Sequence, residues 1–256
     1  MTRIAAILPA RMGSSRFPGK PLLDFHGLPM IEHVRRRVAM AGVFTNVVVA
    51  TCDEVIADAV SRYGGQVIMT SLTHEAATDR VAEAMGRLDC THVVNVQGDE
   101  ILILPDDLRN LASSIAANPE IQAWNAIAPI DSAEELEDRS IVKCVVSLSN
   151  RILFCARDFT RLAPRSAGFG PVHRILGILA FSREFLGRYP TLSRTPVEMA
   201  ESIDQSRIVE HDIDLRGVPF SRGYPGINEP REVALVEDYL RNDARQRQVL
   251  EEILAS

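Results

Sequence analysis

Three short stretches hold residues whose types and spacing suit chemistry. The first is Leu8 to Leu22, L-P-A-R-M-G-S-S-R-F-P-G-K-P-L. It follows an apolar run directly and sets three cations, Arg11, Arg16 and Lys20, among small residues. Small residues let backbone N–H groups approach an anion, and arginine and lysine neutralise phosphate charge. The stretch is neither GxxxxGK[ST] nor GxGxxG, so neither of those mechanisms is implied. The plain alternative is a Gly-rich surface loop with solvated charges. The second stretch is Val93 to Glu100, V-V-N-V-Q-G-D-E, an apolar run that enters Gln97-Gly98 and then the acids Asp99 and Glu100. Carboxylates at a strand's carboxyl end, beside a phosphate-binding loop, suit Mg2+; a turn with solvated acids is again the alternative. The third is Ala76 to Arg80, A-A-T-D-R. Thr78 or Asp79 reads equally well as a helix N-cap. Arg80 falls in the first turn, where the helix dipole disfavours a cation, which points to an anion from outside as its partner.

The elements that must position these residues alternate two periods. Ile4 to Leu8 is a continuous apolar run, suited to a buried parallel strand. Pro29 opens a helix whose Ile31, Val34, Val38 and Ala41 are three and four apart, and Gly42 closes it. Strands are expected at Asn46 to Thr51, Gln66 to Met69, His92 to Val96 and Ala123 to Pro129. Helices are expected at Asp53 to Tyr63, Thr78 to Leu88 and Pro105 to Asn118. This alternation is the pattern of a doubly wound α/β sheet, whose ligands gather at the carboxyl ends of the strands. Farther on, Val142 to Leu148 and Arg151 to Cys155 suit a hairpin around Ser149-Asn150, and Arg174 to Phe181 a strand. Ser182 to Tyr189 and Val197 to Val209 suit helices, His211 to Leu215 an alternating strand, and Glu229 to Leu254 a closing helix. Thr160 to Pro171 is the candidate for a mobile loop. Asp53-Glu54 reads as a helix N-terminus, Trp124 as core, and the six histidines, which show no metal spacing, as structural or surface residues.

Composition narrows the function class. The chain has 256 residues, 46% hydrophobic and 24% charged, enough apolar surface to exclude general disorder. No apolar run approaches the ~18 residues of a membrane span. The N-terminus lacks a secretory leader's apolar core, and a cytoplasmic protein is expected. Net charge is −6. The only tight basic run, Arg35-Arg36-Arg37, reads as a solvated helix face, so no nucleic-acid partner is expected. Cys52, Cys90, Cys144 and Cys155 form no CxxC pair and read as reduced thiols.

Taken together, Leu8 to Leu22, Ala76 to Arg80 and Asn95 to Glu100 resemble the 3-deoxy-manno-octulosonate cytidylyltransferases (CMP-Kdo synthetases). The resemblance continues through Ile141-Val142-Lys143, Arg157, Leu176-Gly177-Ile178, Gln205-Ser206-Arg207 and Gly226 to Val233, nearly the whole chain. It implies a Rossmann-related, GT-A-like nucleotidyltransferase of the α/β class. Its three-layer α/β/α mixed sheet would carry a smaller sheet segment for dimerisation. A single domain over 1–256 is implied, with a nucleotide-binding half over about 1–130, acceptor and dimer elements over about 131–228, and a closing helix over about 229–254. The family is usually homodimeric, serves lipopolysaccharide biosynthesis, and joins CMP from CTP to the anomeric hydroxyl of a sugar acid with release of pyrophosphate. Carried over by position, Arg11, Arg16 and Lys20 would bind the CTP phosphates. Leu8, Ala10, Gly13, Ser14, Thr78, Arg80 and Gln97 would complete the nucleotide site. Asp99 would hold Mg2+. Gln97, Arg157, Arg174, Asp204 and Gln205 would face the sugar acid.

The departures are concentrated on the acceptor side. The family's G-x-D-T-P-E-D-L is Gly226 to Val233 here, with Asn228 where a metal-binding Asp belongs and Glu229 as the nearest replacement. R-H-L-G-I-Y is Arg174 to Leu179, with Ile175 in place of a His that contacts the sugar acid. L-E-Q-L-R is Ile203 to Arg207, where Asp204 shortens a carboxylate. An apolar Ile cannot hydrogen-bond a hydroxyl, which favours an acid other than Kdo. The expected function is a Mg2+-dependent cytidylyltransferase acting on Kdo or a related acid; the alternatives are transfer from another nucleotide or to a non-sugar acid, and non-catalytic nucleotide binding.

Overall fold

The computed structural model describes residues 2–13, 17–74, 76–159, 169 and 172–255. The expected loop from Thr160 to Pro171 therefore lies almost wholly outside the described residues. The chain divides into two compact units, Met1–Ala112 with Tyr224–Ser256, and Ser113–Gly223.

The first unit is built on a parallel sheet of four strands: β1 (Ile4–Ala10), β4 (Asn46–Thr51), β5 (Gln66–Met69) and β6 (His92–Val96), in the order β6-β1-β4-β5. Every residue of β1 is buried, because helices pack on the sheet over it and its edges are paired, Ile7 being opposite Val48 of β4 and Asn95 of β6. That is why its sequence is an uninterrupted apolar run and does not alternate. A two-residue hairpin, β2 (Asp24–Phe25) and β3 (Leu28–Pro29), precedes α1 (Met30–Met40). Helices α2 (Glu54–Arg62) and α3 (Ala77–Met85) follow β4 and β5. Helix α4 (Pro105–Ala117) carries the chain across the division between the units.

Helix α1 buries the expected Ile31, Val34 and Val38, but Glu32, His33 and Arg37 are buried with them. The basic run is thus not a solvated face. The buried Glu32 carboxylate accepts from Arg35 and Arg36. The Arg37 guanidinium donates to the Gln246 side chain at 2.7 Å and to the Ile103 carbonyl. Gln246 belongs to the C-terminal segment, which is two helices where one was expected: α9 (Glu232–Asn242) and α10 (Ala244–Ala255). Asp243 breaks the run. Its backbone is extended, and its carboxylate caps α10 by accepting from the N–H groups of Arg245 and Gln246.

In the second unit, β7 (Ala123–Pro129) lies between β11 (Leu215–Pro219), parallel to it, and β10 (Val172–Ser182), antiparallel. The hairpin of β8 (Lys143–Val146) and β9 (Ile152–Ala156) joins through β8 to β10. Its turn is where the sequence places it, with Asn150 in the left-handed region at φ 60. Helix α5 (Ala133–Glu137) was not expected; Ser132 caps it. Helix α6 (Arg183–Arg188) begins at a Ser182 cap. The helix expected over 197–209 is two, α7 (Pro196–Glu201) and α8 (Asp204–Glu210), parted by Ser202 at φ 55. The alternating segment from His211 to Leu215 is a turn. Asp212 adopts φ 57 and Ile213 N–H returns to the Ile208 carbonyl, so the strand starts only at Leu215.

Candidate active site

A cavity of about 250 Å3 opens at the carboxyl ends of β1 and β6. Pro9 and Ala10 end β1 and lead to Arg11; Gln97, Gly98 and Asp99 leave β6. The two chain segments are close because Gly98 has no side chain. A Cβ there would stand 3.2 Å from the Pro9 carbonyl oxygen and 3.3 Å from the Ile31 side chain. Ala10, Arg11, Lys20, Arg80, Gln97 and Asp99 all line this cavity, as expected for one site.

Lys20 is the lining cation that pairs with the lining carboxylate. Gly19 precedes it at φ 76, a conformation that favours glycine, and Gly19 N–H closes the loop onto the Met12 carbonyl. Lys20 Nζ then donates to Asp99 Oδ2 at 2.8 Å and to the Ile227 carbonyl at 2.7 Å. Ile227 itself is anchored, its N–H donating to the Asp99 carbonyl at 3.3 Å. Gly226 leaves room for this contact, since a Cβ there would come within 3.1 Å of the same oxygen. Arg11 is exposed on the rim. Arg80 is buried, and its guanidinium donates to the Thr70 hydroxyl and to the Ser71 carbonyl. Among the described residues these partners are neutral, so the Arg80 charge has no counterion there.

Other expected residues stand elsewhere. Leu8 is fully buried in β1 and does not line the cavity, nor do Gly13 and Thr78. Neither Thr78 nor Asp79 is the N-cap of α3; that position is Ala76, with no side-chain bond. Ser14 and Arg16 lie outside the described residues. Asn228 follows Ile227 directly, and its N–H donates to the Glu232 carboxylate. Glu229, the nearest replacement for the missing acid, pairs with Arg231 at 2.9 Å.

Two residues near the cavity were missed. Asp53 begins α2 but makes no side-chain cap; its Oδ2 accepts from Met12 N–H at 2.8 Å and so pins the cation-bearing loop. The available signal was position: Asp53 follows the carboxyl end of β4, next to β1. His74 lines the cavity and pairs with Glu83, whose carboxyl is held below its ordinary range by the Ser71 N–H and by His74.

The remaining candidates belong to the second unit. Arg157 donates from its backbone to Glu201 Oε2, from Nε to the Glu201 carbonyl and from its guanidinium to the Arg139 carbonyl. Beside it Lys143 is buried, which lowers its pKa, and donates to the Arg157 and Asp138 carbonyls. Arg174 pairs with Glu135 at 3.4 Å and donates to the Gly223 carbonyl. Asp204 opens α8, its carbonyl accepting from the Tyr189 hydroxyl. Gln205 Nε2 donates to Asn125 Oδ1 at 2.9 Å. Arg207 is a structural cation, paired with the buried Glu198 and stacked on Tyr189.

The family model for cytidylyltransferases matches residues 5–215. The 3-deoxy-manno-octulosonate cytidylyltransferase of Geobacter metallireducens is 35% identical over 93% of this chain and 98% of its own length. That of Myxococcus xanthus is 39% identical over 93% and 97%. The chain belongs to the 3-deoxy-manno-octulosonate cytidylyltransferase family. It is accordingly a nucleotidyltransferase, with the mixed α/β fold of that enzyme class. A solved CMP:2-keto-3-deoxy-manno-octonic acid synthetase complexed with CTP superposes with a TM-score of 0.88 at 34% identity, covering 94% of this chain and all of that one. A cytidylyltransferase from Leptospira borgpetersenii, 16% identical with a TM-score of 0.66, shares the fold. No helix among the described residues of this cytidylyltransferase is long and apolar enough to cross a membrane.

Proposed function

We propose that the protein transfers the cytidylyl group of CTP to the anomeric hydroxyl of a 3-deoxy sugar acid. The hydroxyl oxygen attacks the α-phosphorus in line, the bond to the bridging oxygen breaks, and pyrophosphate leaves while the hydroxyl proton is lost. The observation that carries this reading is Lys20, held between Asp99 and the Ile227 carbonyl in a cavity shared with Arg11 and Arg80. These cations offset charge on the phosphate oxygens and the leaving group, so positioning and electrostatics perform the catalysis and no nucleophilic side chain is required.

Asp99 would serve a magnesium ion whose coordination the substrate phosphates complete. Among the described residues no group of three or more His, Cys, Asp or Glu side chains is arranged for a metal, and Asp99 is the carboxylate that lines the cavity. Mg2+ is commonly held by one or two carboxylates together with substrate phosphates. Asp99 would hold it, with the Asn228 amide as a neutral neighbour. Bound there, Mg2+ would neutralise phosphate charge. Lys20 keeps the Asp99 carboxylate oriented toward the cavity.

The relatives are named for 3-deoxy-manno-octulosonate. Ile175, half-buried in β10, offers no hydrogen bond where the family resemblance places a histidine. We therefore assign the acceptor to the same chemical class, lacking the hydroxyl that such a histidine would bind. The proposal includes a homodimer, to be checked by sedimentation. The deciding experiment measures pyrophosphate release with Mg2+, each nucleoside triphosphate in turn, and a panel of 3-deoxy-manno-octulosonate, other ulosonic acids and phosphonates. Release with CTP and an ulosonic acid is expected. Tight CTP binding without release on any acid would overturn catalysis. Release with another nucleotide would overturn the base assignment.

A further inference from the structure

Asn125 is a fully buried carboxamide in the middle of β7. It stands at an irregularity. Ile127 pairs with Ile175 and Asn125 pairs with Leu179, so Leu176, Gly177 and Ile178 of β10 bulge opposite Ala126 alone. Asn125 Nδ2 donates to the Ala126 carbonyl at 2.7 Å and to the Leu176 carbonyl at 3.0 Å. Its Oδ1 accepts from Gln205 Nε2 at 2.9 Å.

This network determines two amide orientations. Both Asn125 amide hydrogens are committed to carbonyl oxygens, so a flipped Asn125 would oppose oxygen to two oxygens. Because Asn125 Oδ1 can only accept, Gln205 must turn its Nε2 inward. Gln205 is half-buried, and among the described residues its amide makes no other hydrogen bond. Its Oε1 is thereby held away from Asn125. An amide oxygen accepts, so it pairs with a hydroxyl or an ammonium and not with a carboxylate.

We propose that Asn125 is a positioning residue, which holds Gln205 to receive a hydrogen bond from a hydroxyl or amino donor of the acceptor acid. This rests on the reading of Gln205 as facing that acid. The acid's carboxylate must then be held by another group.

The test is steady-state pyrophosphate release with CTP and the ulosonic acid that the panel above selects, for the wild type, Asn125→Ala, Gln205→Ala and the double variant. Each single substitution raises the KM for the acid about tenfold and leaves the KM for CTP unchanged. The double variant is no worse than Gln205→Ala, because Asn125 acts through Gln205. Multiplying effects, or an Asn125→Ala that lowers Tm without moving the acid KM, overturn the positioning role. Gln205→Glu supplies a variant that leaves the core intact. It places an oxygen against Asn125 Oδ1 and matches the KM of Gln205→Ala. Wild-type KM in Gln205→Glu, beside a raised KM in Gln205→Ala, overturns the proposal. Wild-type KM in Gln205→Ala instead removes Gln205 from the acceptor site, while a wild-type enzyme silent with every acid of the panel overturns the reading beneath it.

Discussion

Lys20 has three N–H groups, and two of them are committed, to Asp99 and to the Ile227 carbonyl. The third remains to meet phosphate. Lys20→Ala removes a preorganised cation from developing charge and is expected to cut kcat at least ~100-fold, measured by pyrophosphate release. Wild-type turnover in that variant would dismiss the phosphate-loop assignment. Asp53 acts at one remove. It does not line the cavity but holds Met12 N–H, next to Arg11. Asp53→Ala frees the loop, and the KM for CTP is expected to rise about tenfold with the acid KM unmoved. At this scale the cations and Asp99 were legible, because charged residues that end buried strands are rare enough to stand out. Asp53 was not, because an acid at a helix start has an ordinary explanation in the helix dipole.

Helix α1 shows what an element does with polar residues on its buried face. His33 Nε2 donates to the Phe25 carbonyl at 2.6 Å, while Nδ1 is buried without a partner. The ring is therefore neutral. Burial lowers its pKa from 6.5 to about 4, against the pull of the Phe25 carbonyl, and Arg37, His26 and Arg36 add to the lowering. Between those values the unfolded chain binds the proton and the folded chain does not, so stability falls as pH drops from 6.5 toward 4. This group accounts for about 2 kcal/mol between pH 7.5 and 5. Urea unfolding at the two pH values is expected to show a shallower loss in His33→Gln, whose amide can still donate to Phe25. An equal loss in both chains would remove His33 as the cause. Periodicity located α1 correctly through Ile31, Val34 and Val38. It could not show that Arg37 turns inward, because that depends on the Gln246 amide, the Ile103 carbonyl and a helix break at Asp243.

Across the whole molecule, burial sorts the four thiols. Cys90, Cys144 and Cys155 are buried, and burial raises the pKa of Cys144 and pushes that of Cys155 up to about 12. Cys52 is partly exposed and donates to Asp53. Iodoacetamide at pH 8 is expected to modify one thiol rapidly in the folded protein and all four after denaturation. Rapid loss of Cys144 or Cys155 would show that the β8–β9 hairpin opens. The sequence by itself determined the parallel strands of the first unit, since strands covered by helices on both faces are close to continuously apolar. It also marked the motifs that leave their carboxyl ends and the family they belong to. Tertiary structure decided the partners: Met12 with Asp53, 41 residues apart, Lys20 with Asp99, 79 apart, Gln205 with Asn125, 80 apart, and Lys20 with Ile227, 207 apart. Periodicity reports which face of an element meets the core. A hydrogen bond between distant segments has no period, and it exists only once the sheet has brought the strand ends together.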